Sequence, residues 1–319
     1  MQIIFLGTSS GTPTKTRNVS ATGIRCNDKK SWCLVDCGEG TQHRILHTRL
    51  GLQHLEAILI THVHGDHCFG LPGLLASASL IGRTEPLTII APAGIREFVE
   101  MTQRISETRL NFEIRFIDTS ECSDPVLTSD FSIQVAALSH RVPSCAFVFE
   151  ELHINRALNI SKLKEEGIDA GPVWGKLQKG IDVSLASGEV LNANDFLLES
   201  EKPRKVIISG DNDRPELLQN YASGLDVLVH EATYTHDIAQ KVGPQPMHSS
   251  ARSVAQFAES IQLKNLVLTH FSARYRDQGE SPAISDIDTE AREHYKGRLF
   301  MANDLDVFDL DKQGELKLS

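Results

Sequence analysis

Residues 61–67 read THVHGDH, which places imidazoles at His62, His64 and His67 and a carboxylate at Asp66. The apolar run EAILI, residues 56–60, leads straight into this cluster, so the histidines cap a strand. On an extended segment positions i and i+2 share a face, so His62 and His64 converge on one cation. Gly65 lets the chain turn and aims Asp66 and His67 toward a second cation beside the first. Neutral imidazole and carboxylate are ligands for zinc and its neighbours, and so dense a group is costly to bury without one.

Further ligands must complete the shell, and the same grammar recurs downstream. AALSH ends at His140, ISGD at Asp211 and LVLTH at His270, each an apolar run that terminates in a side chain with metal or proton chemistry. KVIISGDN, DVLVHEAT and NLVLTHFS therefore read as buried strands that present reactive residues at their carboxyl ends, the habit of an α/β framework. QIIFL, ATGIRC and SWCLVDC read as strands before the cluster. FGLPGLLASASL and AGIREFVEMTQRI read as helices after it. Between about residues 150 and 203 the texture changes to glycines, lysines and a Gly171-Pro172 step, which suits a flexible, protruding arm with a short helix or an ordinary surface insertion.

The HVHGDH cluster, followed by single His, Asp and His residues at strand ends, resembles the metallo-β-lactamase superfamily over nearly the whole chain. That resemblance implies one αββα sandwich domain over residues 1–319, with the arm inserted at about 150–203. It also implies that His62, His64 and His140 hold one metal, that Asp66, His67 and His270 hold the other, and that Asp211 bridges them. PTKTRN at residues 13–18, DCGEGTQ at 36–42, HEAT at 230–233, HSS at 248–250 and the GP-bearing arm narrow the resemblance to the ribonuclease Z family, short-form tRNA 3′-processing endonucleases. Two departures stand out: Asn212 follows Asp211 where the family commonly has threonine, and Val173-Trp174 follows the GP step.

The expected chemistry is hydrolysis of a phosphodiester, with paired cations about 3.5–4 Å apart supplying a hydroxide at neutral pH. Asp66 would hold that nucleophile by a hydrogen bond, His248 would protonate the departing 3′-oxygen, and Glu231 would orient the His248 ring. The products would be a tRNA with a 3′-hydroxyl and a trailer with a 5′-phosphate. Three-histidine ligation and the resemblance favour two zinc ions per subunit, with manganese or iron as alternatives. His230 is expected to brace its loop, Ser249 and Ser250 to cap a helix, and His43, His47 and His54 to lie on the surface.

A formal net charge of −10 disfavours a general nucleic-acid coat and leaves room for a nucleic-acid enzyme whose positive charge is local. Lys15 and Arg17 offer one cluster of positive charge, and the resemblance makes their loop, with Asn18, the element that contacts RNA near the acceptor end. The resemblance makes Gly171, Pro172 and Lys176 of the arm a grip on the tRNA elbow, serving the other subunit of a homodimer. Arg252 and Arg274 are further candidates for phosphate contact. The opening MQIIFLGTSS lacks a signal peptide's basic flank, and no apolar run reaches bilayer length, so a cytoplasmic protein is expected. Its six cysteines are expected to be reduced. Two rival readings remain open: a binuclear hydrolase of a small phosphodiester, thioester or lactone, and a non-catalytic RNA-binding relative.

Overall fold

The computed structural model describes residues 1–152, 157–185, 188–198, 202–277 and 279–319. The chain divides into two compact units, one formed by Met1–Glu150 with Arg204–Ser319 and the other by Glu151–Pro203. Among the described residues no helix is long and apolar enough to cross a membrane.

The larger unit is built on two sheets. From edge to edge the first runs Leu316–Leu318, Val307–Leu310, Gln2–Gly7, Ala21–Arg25, Trp32–Val35, Leu55–Leu59, Leu87–Ala91 and Ile114–Asp118. The second runs Arg298–Met301, Asn265–Thr269, Val227–Glu231, Lys205–Ser209, Ser144–Glu151, Phe131–Leu138 and Val126–Leu127. Each sheet has a parallel block. In the first, Trp32–Val35, Leu55–Leu59, Leu87–Ala91 and Ile114–Asp118 pair in parallel. In the second, Lys205–Ser209, Val227–Glu231, Asn265–Thr269 and Arg298–Met301 do the same.

Strand side chains alternate between two cores, the expected outcome of a period of two. Leu59 and Ile90 of the first sheet join Phe147, Ile208, Val229 and Val267 of the second in one cluster, so this core fills the space between the sheets. Ile58 and Ile89 point the other way, onto Leu71, Leu74 and Leu75 of helix Leu71–Leu80 and Ile95 and Val99 of helix Gly94–Ser106. On the far side, Ile207, Leu228 and Leu266 pack on Val254 and Ala258 of helix Ala251–Ser260 and on Ile287 and Ala291 of helix Ile284–His294. The result is the αββα sandwich of the metallo-β-lactamase fold. Because strands covered on both faces are apolar at every position, they read as continuous runs in the sequence.

The smaller unit carries two short helices, Ile160–Glu165 and Pro172–Gln178, where one was expected. Gly167 and Gly180, both with left-handed φ, end them, and Pro172 sits in the first turn of the second. Leu163, Ile168, Leu177, Leu191 and Phe196 form its core, and the Trp174 indole N–H donates to the Ile168 carbonyl at 3.1 Å. Residues 153–156, 186–187 and 199–201 of the expected arm lie outside the described residues.

Candidate metal centre

The two sheets meet at the carboxyl ends of their parallel strands. Cys145 N–H donates to the Thr61 carbonyl at 3.1 Å, and Gly210 N–H donates to the Cys145 carbonyl at 3.2 Å. Gly210 is required there, because a Cβ would fall 2.5 Å from Thr61 Cβ and 2.8 Å from the Cys145 oxygen. This close approach sets Asp211 beside the histidine cluster.

Two groups of donors result. His62 Nε2 lies 3.0 Å from His64 Nδ1, which lies 3.2 Å from His140 Nε2. In the second group His67 Nε2 and His270 Nε2 are 3.2 Å apart, and Asp66 Oδ2 is 3.5 Å and 3.4 Å from them. Asp211 spans the pair: its Oδ2 lies 3.6 Å from His62 Nε2 and 3.7 Å from His140 Nε2, while its Oδ1 lies 3.4 Å from His67 Nε2 and 3.3 Å from His270 Nε2. Donors held at about 2.0–2.1 Å around a tetrahedral zinc sit roughly 3.3–3.5 Å from one another. The separations fit a divalent cation in each group, with one carboxylate oxygen of Asp211 turned to each.

Neighbouring groups fix the tautomers that leave these nitrogens free. Asp36 Oδ2 accepts the His67 Nδ1–H at 2.7 Å and the Thr61 hydroxyl at 3.0 Å, while its Oδ1 accepts the Thr61 N–H at 2.8 Å. The Thr61 oxygen in turn accepts the His62 Nδ1–H at 3.0 Å, so one aspartate orients a ligand of each group. His140 Nδ1–H donates to the Met247 carbonyl at 2.9 Å, and His270 Nδ1–H to the Thr233 hydroxyl at 3.1 Å. Asp36, Met247 and His270 all have φ between 54° and 60°, an uncommon region for side-chain-bearing residues and one that clusters at functional sites.

Electrostatics follow from this crowding. Burial and then the neighbouring imidazoles push His62 far below the usual histidine range, which favours its ligating neutral form. Burial opposes a charge on His67, but Asp36, Asp211 and Asp66 outweigh it and lift that ring to about 10. A cation entering the second group therefore displaces a proton from His67. Burial would raise Asp66, yet His67 and His270 hold its carboxyl well below the carboxylate range. The Gly11 N–H donates to its Oδ2 at 2.7 Å.

Beside the donors, His248 Nδ1–H is held by both oxygens of Glu231 at 3.1 and 3.0 Å. The same carboxylate accepts the Asn212 N–H at 2.7 Å and the Thr233 hydroxyl. His248 Nδ1 also comes within 3.7 Å of Asp211, and His248, Asp211 and His270 are close enough to form a third donor set, but the Nδ1–H bond to Glu231 commits that nitrogen to a proton rather than a cation. Burial lowers the His248 pKa, and the Glu231 charge and hydrogen bonds more than offset that, raising it to about 9. His248 Nε2 is left for a cleft of about 520 Å³ that His248 lines together with His64, Asp66 and Asp211.

The remaining sequence candidates fall in different places. Arg17, expected as a contact for RNA, is only 5% exposed, and its guanidinium is consumed inside the protein. It donates to Asp277 at 2.8 Å, to Thr8 and the Ala302 carbonyl at 2.7 Å each, and to Asn303 at 2.8 Å, so it clamps the loop. Asn18 likewise anchors the loop, through Asp304 and the Glu39 carbonyl. Lys15 is exposed. Arg274 is exposed and stacks 5.0 Å above the Tyr234 ring, which lies 6.0 Å from the His248 ring, so it stands near the site. Arg252 is half-buried, with its backbone N–H on Glu290. Gly171, Pro172 and Lys176 are exposed within the smaller unit.

His230 is a brace, its Nδ1–H on the Glu231 carbonyl and its Nε2 accepting from Asn212. Ser250 caps helix Ala251–Ser260, while the Ser249 hydroxyl donates to the Asn212 carbonyl. The six cysteines are free thiols. Sequence reasoning missed Asp36, Thr61 and Thr233 as orienting groups. The signal at Asp36 was its place after the apolar run of Trp32–Val35, like Asp211 after its own strand.

An αββα sandwich whose parallel strands end in two such donor groups defines a metallo-β-lactamase-fold hydrolase that binds divalent metal. Comparison with known proteins narrows this. The sequence family described as anti-Pycsar protein Apyc1 matches residues 1–155, the half that carries THVHGDH. Ribonuclease Z of Marinobacter nauticus is 51% identical over 99% of this chain and 98% of its own length. Human short-form tRNase Z superposes with a TM-score of 0.64 at 27% identity, covering 98% of this chain and 100% of the human one. The metallo-β-lactamase fold protein YhfI of Bacillus subtilis gives a TM-score of 0.65 at 16% identity over 96% and 98%, a likeness of fold. The chain belongs to the ribonuclease Z family, the tRNA 3′-processing endoribonucleases of the metallo-β-lactamase superfamily.

Proposed function

We propose that the chain removes 3′ trailers from tRNA precursors with two zinc ions per subunit, held by His62, His64 and His140, by Asp66, His67 and His270, and by Asp211 between them. The observation that carries the reading is Asp211, whose two oxygens face separate donor groups at 3.3–3.7 Å. When bound, paired cations activate water and neutralise charge on a phosphoryl oxygen.

The chain's own groups manage the protons. Asp66, fixed through Oδ2 by the Gly11 N–H, is left to accept a hydrogen bond from the attacking water and aim it, while that water's proton leaves to solvent. Water oxygen bonds to phosphorus as the bond from phosphorus to the 3′-oxygen breaks. His248, protonated while held by Glu231, gives its Nε2 proton to that oxygen. A 3′-hydroxyl is left on the tRNA and a 5′-phosphate on the trailer.

Gly171, Pro172 and Lys176 contact the tRNA elbow, and each subunit's arm serves the other subunit's site in a cytoplasmic homodimer. Arg252, Arg274 and Lys15 neutralise backbone phosphates, a local role that an acidic protein needs. The test is incubation with a trailer-bearing precursor, with and without chelator, followed by end-group analysis. Cleavage at the trailer junction, lost with chelator and restored by zinc, is expected; chelator-resistant cleavage contradicts the reading. Two zinc per chain is expected by mass spectrometry. For the dimer, mixing arm-deleted subunits with His248→Ala subunits is expected to restore cleavage that neither supports alone.

A further inference from the structure

We propose that Phe69 and Arg141 form a single-nucleotide subsite in the metal cleft. Phe69 stacks on the base adjoining the cleaved bond, and Arg141 pairs with a phosphate of the same strand. The proposal rests on the RNA-cleavage reading above and deepens it.

Both side chains line the 520 Å³ cleft with His64, Asp66, Asp211 and His248. They are the only aromatic carbocycle and the only Lys or Arg among its described lining residues. Phe69 is 63% exposed. A lone exposed phenylalanine is ordinary, but this ring is held. It is seated on Gly65 of the ligand turn, where an added Cβ would lie 2.3 Å from Phe69 Cε2 and 2.5 Å from Cζ. Phe98 supports it, with centroids 6.0 Å apart. Glycine at residue 65 thus has a second effect besides turning the chain: it lets an aromatic face sit within one turn of the donors Asp66 and His67.

Arg141 directly follows His140, is exposed, and makes no side-chain hydrogen bond or ion pair among the described residues. The other described residues lining the cleft are mostly neutral or acidic, Glu39, Asp66 and Asp211 among them. An unpaired guanidinium and an exposed ring beside a phosphodiesterase centre match the two parts of a nucleotide, a charged backbone and a stacking base. A protein partner has no comparable need for both within reach of the metals.

The experiment compares unaltered protein, Phe69→Ala, Phe69→Trp, Arg141→Ala and Arg141→Lys on a trailer-bearing precursor. A parallel substrate carries an abasic residue at the nucleotide next to the cleaved bond. Phe69→Ala is expected to lower kcat/KM roughly tenfold, the size of one lost stacking contact. Phe69→Trp is expected to retain activity, and the abasic substrate to slow the unaltered protein while costing Phe69→Ala nothing further. Arg141→Ala is expected to raise KM and flatten the salt dependence by about 0.7 in log–log slope, the share of one phosphate on a single strand, with Arg141→Lys restoring the slope. Additive losses from Phe69→Ala and the abasic residue overturn the stacking role. An unchanged salt slope overturns the phosphate role. A change in sedimentation in Phe69→Ala that accounts for its lost activity makes the ring a protein contact and also overturns the proposal. Should the unaltered protein leave the precursor intact, it is the RNA-cleavage reading that fails.

Discussion

At the scale of single residues, Asp36 and Glu231 do comparable work on different rings. Asp36 holds His67 directly and His62 through Thr61. Asp36→Asn replaces an acceptor-only group and loses the charge that sets the His67 tautomer, so zinc affinity should fall 10- to 100-fold, read by competition with a chromogenic chelator. Glu231 raises His248, and the sign of the pH effect follows. In the metal-free protein the His248–Glu231 contribution to stability is complete below the unfolded histidine value near 6.5 and is lost as pH rises through about 9. Glu231→Gln should return the His248 titration, followed by NMR, toward 6.5 and move the alkaline limb of activity to lower pH. An unmoved His248 titration contradicts the orienting role. The donor residues were legible because HVHGDH is too dense a group to bury without a ligand and because His140, Asp211 and His270 repeat one placement after apolar runs, a placement that His230 shares while serving only as a brace. Asp36 was harder to read, since an aspartate before Cys37-Gly38 looks like a turn former and its partner lies 31 positions away. Arg17 misled because its neighbours in PTKTRN suggest a solvated loop, and nothing local reveals Asp277 or Asn303 as partners.

At the scale of elements, the site depends on how closely strand ends approach one another. Gly210 lets the Lys205–Ser209 strand pass against Thr61, and Gly210→Ala puts a methyl into backbone and Cβ atoms. Overpacking of that kind costs about 1–3 kcal/mol, so a fall of several degrees in Tm is expected by calorimetry. Zinc content should fall with it, because Asp211 moves. An unchanged Tm and full zinc content contradict the seam as described. The strands themselves were readable, since burial on both faces leaves runs such as VIIS and AILI. Their order was not. Gln2–Gly7 pairs with Val307–Leu310 across some three hundred residues, and hydrophobic pattern carries no information about partners that far apart.

At the scale of the whole molecule, the metals are expected to hold the two sheets together as well as to act on substrate. Ligands come from both sheets, with His62 following Leu55–Leu59, and Asp211 and His270 following Lys205–Ser209 and Asn265–Thr269. Cations that bind the native state alone stabilise it by mass action, so chelation should lower Tm in proportion to the logarithm of free zinc. A Tm indifferent to zinc contradicts a site built across the sheets. The α/β framework was readable from the recurrence of strand and donor, and its αββα layering followed from the family resemblance. The division of the smaller unit into two helices was not, because Gly167 and Gly180 act through left-handed φ that composition alone does not assign.

The most direct measurement is anomalous diffraction at the zinc edge from crystals of the zinc-loaded protein. Two peaks about 3.5–4 Å apart are expected, each within about 2.0–2.2 Å of its donors, with Asp211 touching both. A single peak, or two peaks that do not share Asp211, would contradict the account.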